Sequence, residues 1–399
     1  MKRFFLLITA MLPLVVGCTN ASKTSIMQTP LVVPSEVVEL ECGTQIYFGG
    51  YGSSMAFAAL DSSFYLLTDR GANIDGHTSE SKRFLSPDFV PTIGRFKLQG
   101  DSLVLVEKIL LKQSDGTPFL GLPNREGDGV TGEVAYDINN NIITSSYRGI
   151  DSEGLALSAD GSFWVSDEYA PFVMHFGVDG VLIKEYSPSN GLPEYFAKRR
   201  PNRGMEGLTI NSDGTKLYGI MQSPLYLPDN STKDNSVNNR ILELDIQSGV
   251  TREFIYRLES AQNVVSEICF LTDSTMLVLE RDGKFPKNGK GFKRVYEVNI
   301  AGASDVSGSV IEVKSLGRLN SQGIRPVGKR LAVDILREIP TYRHDKAEGI
   351  ALINENTLAV VNDDDFSVIE TPDGGVEPKF DRNGVLDRST IYFMQLNNY

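Results

Sequence analysis

One segment recurs along the chain, and it constrains the fold more than any other feature. Each copy opens on a glutamate, continues as an apolar strand pattern, turns, and returns as a second apolar run with a polar end. Four copies carry the glutamate. They run from Glu153-Gly154-Leu155 to Ser166-Asp167-Glu168, from Glu206-Gly207-Leu208 to Ile220-Met221-Gln222, from Glu267-Ile268-Cys269 to Leu279-Glu280-Arg281, and from Glu348-Gly349-Ile350 to Val361-Asn362-Asp363. A degenerate fifth copy has Ser53-Ser54-Met55 in place of Glu-Gly and ends at Thr68-Asp69-Arg70. Turns such as Ala159-Asp160-Gly161 and Ser212-Asp213-Gly214 place glycine where a tight hairpin needs a positive φ.

Each copy therefore predicts a β-hairpin, and further strand pairs such as Phe172 to Phe176 with Val181 to Tyr186 extend hairpins into four-stranded units. No long helical periodicity interrupts the series. Four-stranded blades repeated about an axis give an all-β chain, a β-propeller of about six blades, with five or seven also compatible with the length. The last strand pattern, Thr390 to Leu396, is expected to close the ring with N-terminal strands.

The N-terminus adds an address. Lys2 and Arg3 precede an apolar run from Phe4 to Val16, which ends at Gly17-Cys18. That run is too short to span a bilayer, and a small residue before cysteine suits a lipoprotein signal peptide over residues 1–17. The expectation is lipid on Cys18, a flexible stalk over 18–35, and a propeller domain over 36–399, held by its anchor in the cell envelope outside the cytoplasm, on the outer membrane. Thr19 does not argue for retention in an inner membrane. Loss of residues 1–17 removes two basic residues and no acid, so the net charge moves from −12 to −14. Such a chain should not bind nucleic acid nonspecifically. Besides Cys18 there are only Cys42 and Cys269, too few for a disulfide framework, and Cys269 in an apolar stretch reads as a core thiol.

The repeated glutamates are the candidate site. Strand alternation puts Glu153, Leu155 and Leu157 on one face, and a tight hairpin should bring Asp167 beside Glu153, Glu280 beside Glu267 and Asn362 beside Glu348. If the first strands are innermost, these polar pairs meet at the channel mouth, with Asp69 and Arg70 from the degenerate copy. Carboxylates pointing at one another need protons, basic partners or a cation. Calcium, which takes 6–8 oxygen ligands in irregular geometry, is the cation expected, with Glu153, Asp167, Glu206, Glu267 and Glu348 as ligands. The equal alternative is that each glutamate caps backbone N–H groups or pairs with arginine to lock blades. The three histidines have no metal-binding spacing. Lys198-Arg199-Arg200 and Asp363-Asp364-Asp365 read as solvated loops, whereas Arg203, three residues before Glu206, is placed to reach the mouth. There is no Gly-x-Ser-x-Gly elbow, P-loop or dinucleotide fingerprint, and a Ser-His-Asp site would need distant residues such as Ser53 or Ser54, His77 and Asp69.

At Leu67-Thr68-Asp69-Arg70-Gly71-Ala72-Asn73, Asp151-Ser152-Glu153-Gly154-Leu155, Trp164-Val165-Ser166-Asp167-Glu168-Tyr169, Asn202-Arg203-Gly204-Met205-Glu206-Gly207-Leu208 and Lys346-Ala347-Glu348-Gly349-Ile350 the chain resembles the bacterial phytase-like family, the domain described as esterase-like activity of phytase. The resemblance covers most of residues 45–396 and implies an exported propeller-like hydrolase of phosphate or carboxylate esters. Combined with the acid pattern, it gives an expected reaction: calcium-assisted hydrolysis of a small anionic substrate by a monomer, with Glu168 as base, Asp69 beside it, and Arg70, Arg203 or Arg281 clamping the anion. The competing expectation is a noncatalytic, lipid-tethered propeller that captures a ligand or partner protein at the same mouth.

Overall fold

The structure, a computed structural model, describes residues 29–396 apart from 41, 42, 146 and 288. The signal segment, Cys18, most of the stalk and Cys42 lie outside the described residues. Five four-stranded antiparallel sheets carry the repeat. Blade 1 comprises Ser54–Ala58, Ser63–Leu67, Thr92–Gln99 and Ser102–Leu110; blade 2 comprises Ser152–Leu157, Phe163–Asp167, Phe172–Phe176 and Leu182–Tyr186. Blade 3 comprises Met205–Ile210, Lys216–Met221, Asn238–Asp245 and Thr251–Arg257; blade 4 comprises Val264–Thr272, Thr275–Arg281, Lys293–Asn299 and Gly328–Asp334. Blade 5 is built from Ile350–Asn354, Thr357–Val361, Thr390–Gln395 and, from the other end of the chain, Leu31–Val32. The first strands of blades 1 to 5 pack against one another in a closed circuit, blade 5 returning to blade 1. The ring is an all-β propeller whose innermost strands are those that open each repeat.

Each sheet is covered on both faces, which is why its strands are nearly continuous apolar runs. In Leu277-Val278-Leu279, alternation sends Leu277 and Leu279 into the core shared with blade 5 and Val278 into the core shared with blade 3. The same device yields one apolar layer between every pair of neighbouring blades. Cys269 packs, partly buried, against the layer between blades 4 and 5. Ring closure agrees with the expectation from the C-terminal strand, since Leu31 pairs with Ile391 and Val32 with Thr390. The boundary of the stalk shifts accordingly: Leu31 and Val33 are buried in the ring, so the chain enters the fold before residue 36. The described residues form five such blades, one fewer than the six expected. The missing unit is taken up by loops. Insertions from blades 1 and 5 form a three-stranded sheet (Asn73–Asp75, Ser81–Phe84, Val134–Tyr136) and a hairpin (Val368–Glu370 with Val376–Pro378), which share a small core with the N-terminal hairpin Glu36–Glu39 and Gln45–Phe48.

The glycine that follows three of the four repeat glutamates has a packing cause. A Cβ on Gly154 would lie 2.6 Å from both Glu206 O and Leu208 N of blade 3; one on Gly207 would lie 2.5 Å from Ile268 N of blade 4; one on Gly349 would lie 2.7 Å from Met55 N of blade 1. Inner strands thus approach backbone to backbone, which any side chain would prevent. Gly207→Ala is expected to cost about 3 kcal/mol or more by overpacking, against about 1 kcal/mol for Gly214→Ala, whose cost is its positive φ alone. Denaturant unfolding of both variants checks this, and equal midpoints would show that the close approach is not what the repeat encodes.

Candidate functional site

Where the inner strands begin, their pairing is irregular. In blade 2, Ser152 pairs with Asp167 and Leu155 with Val165, so Glu153 and Gly154 face one residue. In blade 3 the extra residue is Glu206, between Met205 paired to Met221 and Gly207 paired to Ile220. Bulges of this kind re-aim a side chain. In blade 4 the irregularity falls one residue earlier, at Ser266, and Glu267 itself pairs with Leu279. That offset separates Glu267 from its counterparts.

The mouth encloses a cavity of about 470 Å³. Residues at equivalent positions just past or at the end of each second strand converge on it: Asp69, Glu168, Gln222, Arg281 and Asp363. Glu153, Glu206 and Glu348 join from the first strands, with Arg70, Asp151, Arg203 and Lys346. All five expected catalytic residues, Asp69, Arg70, Glu168, Arg203 and Arg281, therefore line one space, as do three of the five expected ligands. The other two do not. Asp167 Oδ1 accepts the backbone N–H groups of Asp151 at 3.0 Å and Tyr169 at 2.8 Å. Glu267 accepts from Leu208 N at 3.0 Å, from Ile268 N at 2.9 Å and from the Ser54 hydroxyl, so that one carboxyl of blade 4 joins blades 3 and 1 across the ring beneath the mouth. The expected pairs also fail for Glu280, whose carboxylate accepts from Tyr256, Asn263 and Lys329 between blades 3 and 4, and for Asn362, which accepts from Thr390 N.

The acids concentrate on blade 2. Carboxylate oxygens of Asp151, Glu153 and Glu168 lie within 4.8 Å of one another. Asp151 is 1% exposed, and its Oδ2 is buried without a hydrogen-bond partner. Burial, then the neighbouring carboxylates of Glu206 and Asp151, push Glu153 well above the usual carboxylate range. Burial, then Asp151, push Glu168 up to about 8. Asp69 and Glu206 are raised in the same way, and the Nε2 amide of Gln222 bridges Glu168 Oε1 at 2.9 Å and Glu206 Oε1 and Oε2 at 2.9 and 2.8 Å. Unsatisfied, mutually repelling carboxylates fit a hard cation held by oxygen donors.

The rim also carries cations, one of them paired with the acid cluster. Arg281 pairs with Glu348 and Ser266 Oγ, and Arg70 with Glu133 at 3.2 Å and Asp151 at 3.5 Å. Arg203 has no hydrogen-bond partner for its guanidinium among the described residues, and burial beside Arg200 lowers its pKa. Of the two segments expected to be solvated, the acidic one is built in and the basic one only at Arg199, since Lys198 is exposed. Arg199 is buried against Tyr169 O and Val130 O, and Arg200 pairs with Asp234. Asp363 and Asp365 bind Lys346, Asp365 also binds Lys379, and Asp364 caps Phe366 N and Ser389 N. This turn is strained: Asp365, Phe366 and Ser367 have φ of 51°, 57° and 57°, a left-handed conformation costing of order 1–3 kcal/mol per non-glycine residue. No Ser-His-Asp site forms, because Ser54 Oγ serves Glu267 and Leu155 N while His77 bonds Asn140 on the surface. Asp151 and Lys346 were missed by the sequence reading, although each stands two residues before a repeat glutamate and shares its strand parity.

A family model described as phytase-like, esterase-like activity of phytase, matches residues 46–366. A protein of Arthroderma benhamiae described as an uncharacterized secreted protein is 27% identical, the match covering 66% of this chain and 64% of that protein, so the chain spans less than two-thirds of that relative's length. Among solved structures, the Bacteroides ovatus xyloglucan-locus protein GH43B has a TM-score of 0.39 at 11% identity over 94% of this chain and 59% of that one. The PQQ-bound aldose sugar dehydrogenase of Streptomyces coelicolor has a TM-score of 0.35 at 11% identity, over 93% and 98% of the two chains. At such scores these likenesses add nothing to the architecture already described.

The raised Glu168 pKa has a stability consequence of definite sign. A carboxyl that titrates near 8 when folded and near 4.5 when unfolded binds more protons in the folded state between those values, so its contribution to stability is present at low pH and lost as pH rises toward 8. In chelator, Glu168→Gln is expected to melt with the parent at pH 5 and several degrees above it at pH 8. A constant difference across that range would rule out the buried, raised carboxyl.

Proposed function

The chain belongs to the phytase-like family, and from that premise and the channel mouth we propose that the protein is an exported hydrolase of phosphate esters that works with a calcium ion. The observation that carries this reading is the make-up of the mouth: three converging carboxylates on blade 2 share one cavity with Arg203, on the lead-in to blade 3, and Arg281 on blade 4. Export is supported by the signal-like first 17 residues and by a relative described as secreted; no helix of the described residues is long and apolar enough to cross a membrane. Lipid on Cys18 would tether the domain to the outer membrane, where a monomer would meet a small anionic substrate.

Asp151, Glu153 and Glu168 would hold the ion, with Glu206 and Asp69 beside them. The cavity lining carries eight carboxylates against six lysines and arginines, so a phosphate would meet net repulsion unless a cation or protons offset the excess. Bound calcium would supply that charge and lower the pKa of a coordinated water. Arg203, with an uncommitted guanidinium, receives phosphoryl oxygens through its planar fork, and Arg281, held by Glu348, adds a second positive charge. Glu206, whose carboxyl burial raises above the usual carboxylate range and Gln222 orients, would pass a proton from Oε to the leaving oxygen. Once the ion is bound, Glu168 serves as an ionised ligand. A phosphate ester suits the site better than a carboxylate ester because the neutral acyl group would leave the cations unused.

Purified protein is expected to release p-nitrophenol from p-nitrophenyl phosphate with calcium and not with chelator, and to act at least tenfold less on p-nitrophenyl acetate. Glu153→Gln should lower kcat by about 10²-fold, and Arg203→Met should mainly raise KM. Calcium and phosphate binding without turnover on a broad ester panel would favour the noncatalytic binding module instead.

A further inference from the structure

Lys346 is one of the cavity cations to which the preceding reading gives no role. It stands two residues before Glu348, on the lead-in to the first strand of blade 5. Its Nζ donates to Asp363 Oδ2 at 2.7 Å and to Asp365 Oδ1 at 2.5 Å. An ammonium has three donors, so one N–H is uncommitted among the described residues. Lys379 shows the contrast: its Nζ lies 2.9 Å from Asp345, 2.6 Å from Asp365 and 3.3 Å from Asp387, three carboxylates that surround it away from the cavity lining.

The acceptors of Lys346 are themselves fixed from behind. Asp365 is shared with Lys379, and Asp387 lies 2.5 Å from His344 Nδ1, whose Nε2 lies 2.8 Å from the Tyr392 hydroxyl. His344 and Asp387 are fully buried. Asp365 also begins the left-handed run through Ser367, and the middle residue of that run is pinned. Phe366 packs against Phe48 and Phe89, with ring centroids 6.0 and 5.2 Å away, and fills the space that a Cβ on Gly50 would need. Backbone strain of this kind survives where the surroundings over-determine it, and it concentrates at functional sites.

An ammonium with a spare donor at the cavity, and a strained, pinned turn that orders its acceptors, are independent observations. From them we propose that Lys346 is a catalytic residue that contacts the phosphoryl oxygens, with Asp365 and Phe366 as its positioning residues. The inference rests on the phosphate-ester reading of the mouth and deepens it. Lys346 occupies the gap between two carboxylates that would otherwise draw a second cation, and it supplies a positive point charge that cannot dissociate. The site then combines one exchangeable ion over blade 2 with one tethered ion at blade 5.

Full-length protein loaded with calcium is titrated with inorganic phosphate, and hydrolysis of p-nitrophenyl phosphate is followed in parallel. Lys346→Met should weaken phosphate binding at least tenfold and lower kcat/KM by about 10²-fold with calcium affinity unchanged or higher, and Lys346→Arg should recover part of the loss. Asp365→Asn and Phe366→Leu should raise KM several-fold while the protein stays folded by circular dichroism. Phosphate affinity equal to the parent's in Lys346→Met would overturn the inference and leave the reading of the mouth standing. A parent that binds no phosphate with calcium present would overturn both. Should Lys346→Met not fold, folded Asp365→Asn decides, and parental phosphate affinity in that variant would overturn the inference.

Discussion

The close approach of the inner strands is the constraint on which the rest of the structure depends. Gly154, Gly207 and Gly349 let one strand lie against the backbone of the next without intervening side chains. This brings five hairpin ends within reach of one another, so that groups far apart in sequence, such as Asp69 and Asp363, perturb each other's charge. The same crowding drives the bulges, because a strand packed that tightly at its start can present a glutamate to the axis only by leaving regular pairing. Glycine and glutamate are adjacent in the repeat for a joint reason: one makes the approach and the other uses it.

Much of this was legible in the sequence. A period-two apolar pattern that restarts on Glu-Gly identifies the hairpins, their order and the end of each blade that carries polar groups. It also gathers Asp69, Arg70, Glu153, Glu168, Arg203, Glu206, Arg281 and Glu348 at one mouth. What the pattern could not carry was register. A one-residue displacement of a bulge inverts facing, and this sends Asp167 and Glu280 away from the glutamates they were expected to join and turns Glu267 inward. The blade number stayed open between five, six and seven for another reason: uneven spacing between copies reflects long insertions and does not by itself tell an insertion from an additional sheet. Charged runs misled because composition says nothing of partners. Asp363 and Asp364 are buried and Asp365 is half-buried, each bound by lysines or backbone N–H groups, and only the fold brings Lys346 and Lys379 there. Cys18 and the signal segment over residues 1–17 lie outside the described residues.

Charge around the ring is unequal although the positions are equivalent. Blades 1, 2 and 5 end their second strands on Asp69, Glu168 and Asp363, whereas blade 3 has Gln222 and blade 4 has Arg281. Repetition built a symmetric frame, and substitution at matching positions gave it a direction. A directed field is what an ester carrying both a charged group and a leaving group requires, since the two ends need opposite environments. Gln222 sits at the border between the two halves, its single amide nitrogen holding one carboxylate from each of blades 2 and 3.

Glu267 closes the axis below the mouth by bonding to Ser54 on one side and to Leu208 on the other. In the proposed reaction, a freed anion would leave past the same arginines and lysines that its precursor meets, so the two would compete for that doorway. Turnover there would be limited by how loosely the doorway holds what has already reacted. The paired state of Arg70 and Arg281, each bound to a carboxylate of the protein itself, tempers the grip of the rim.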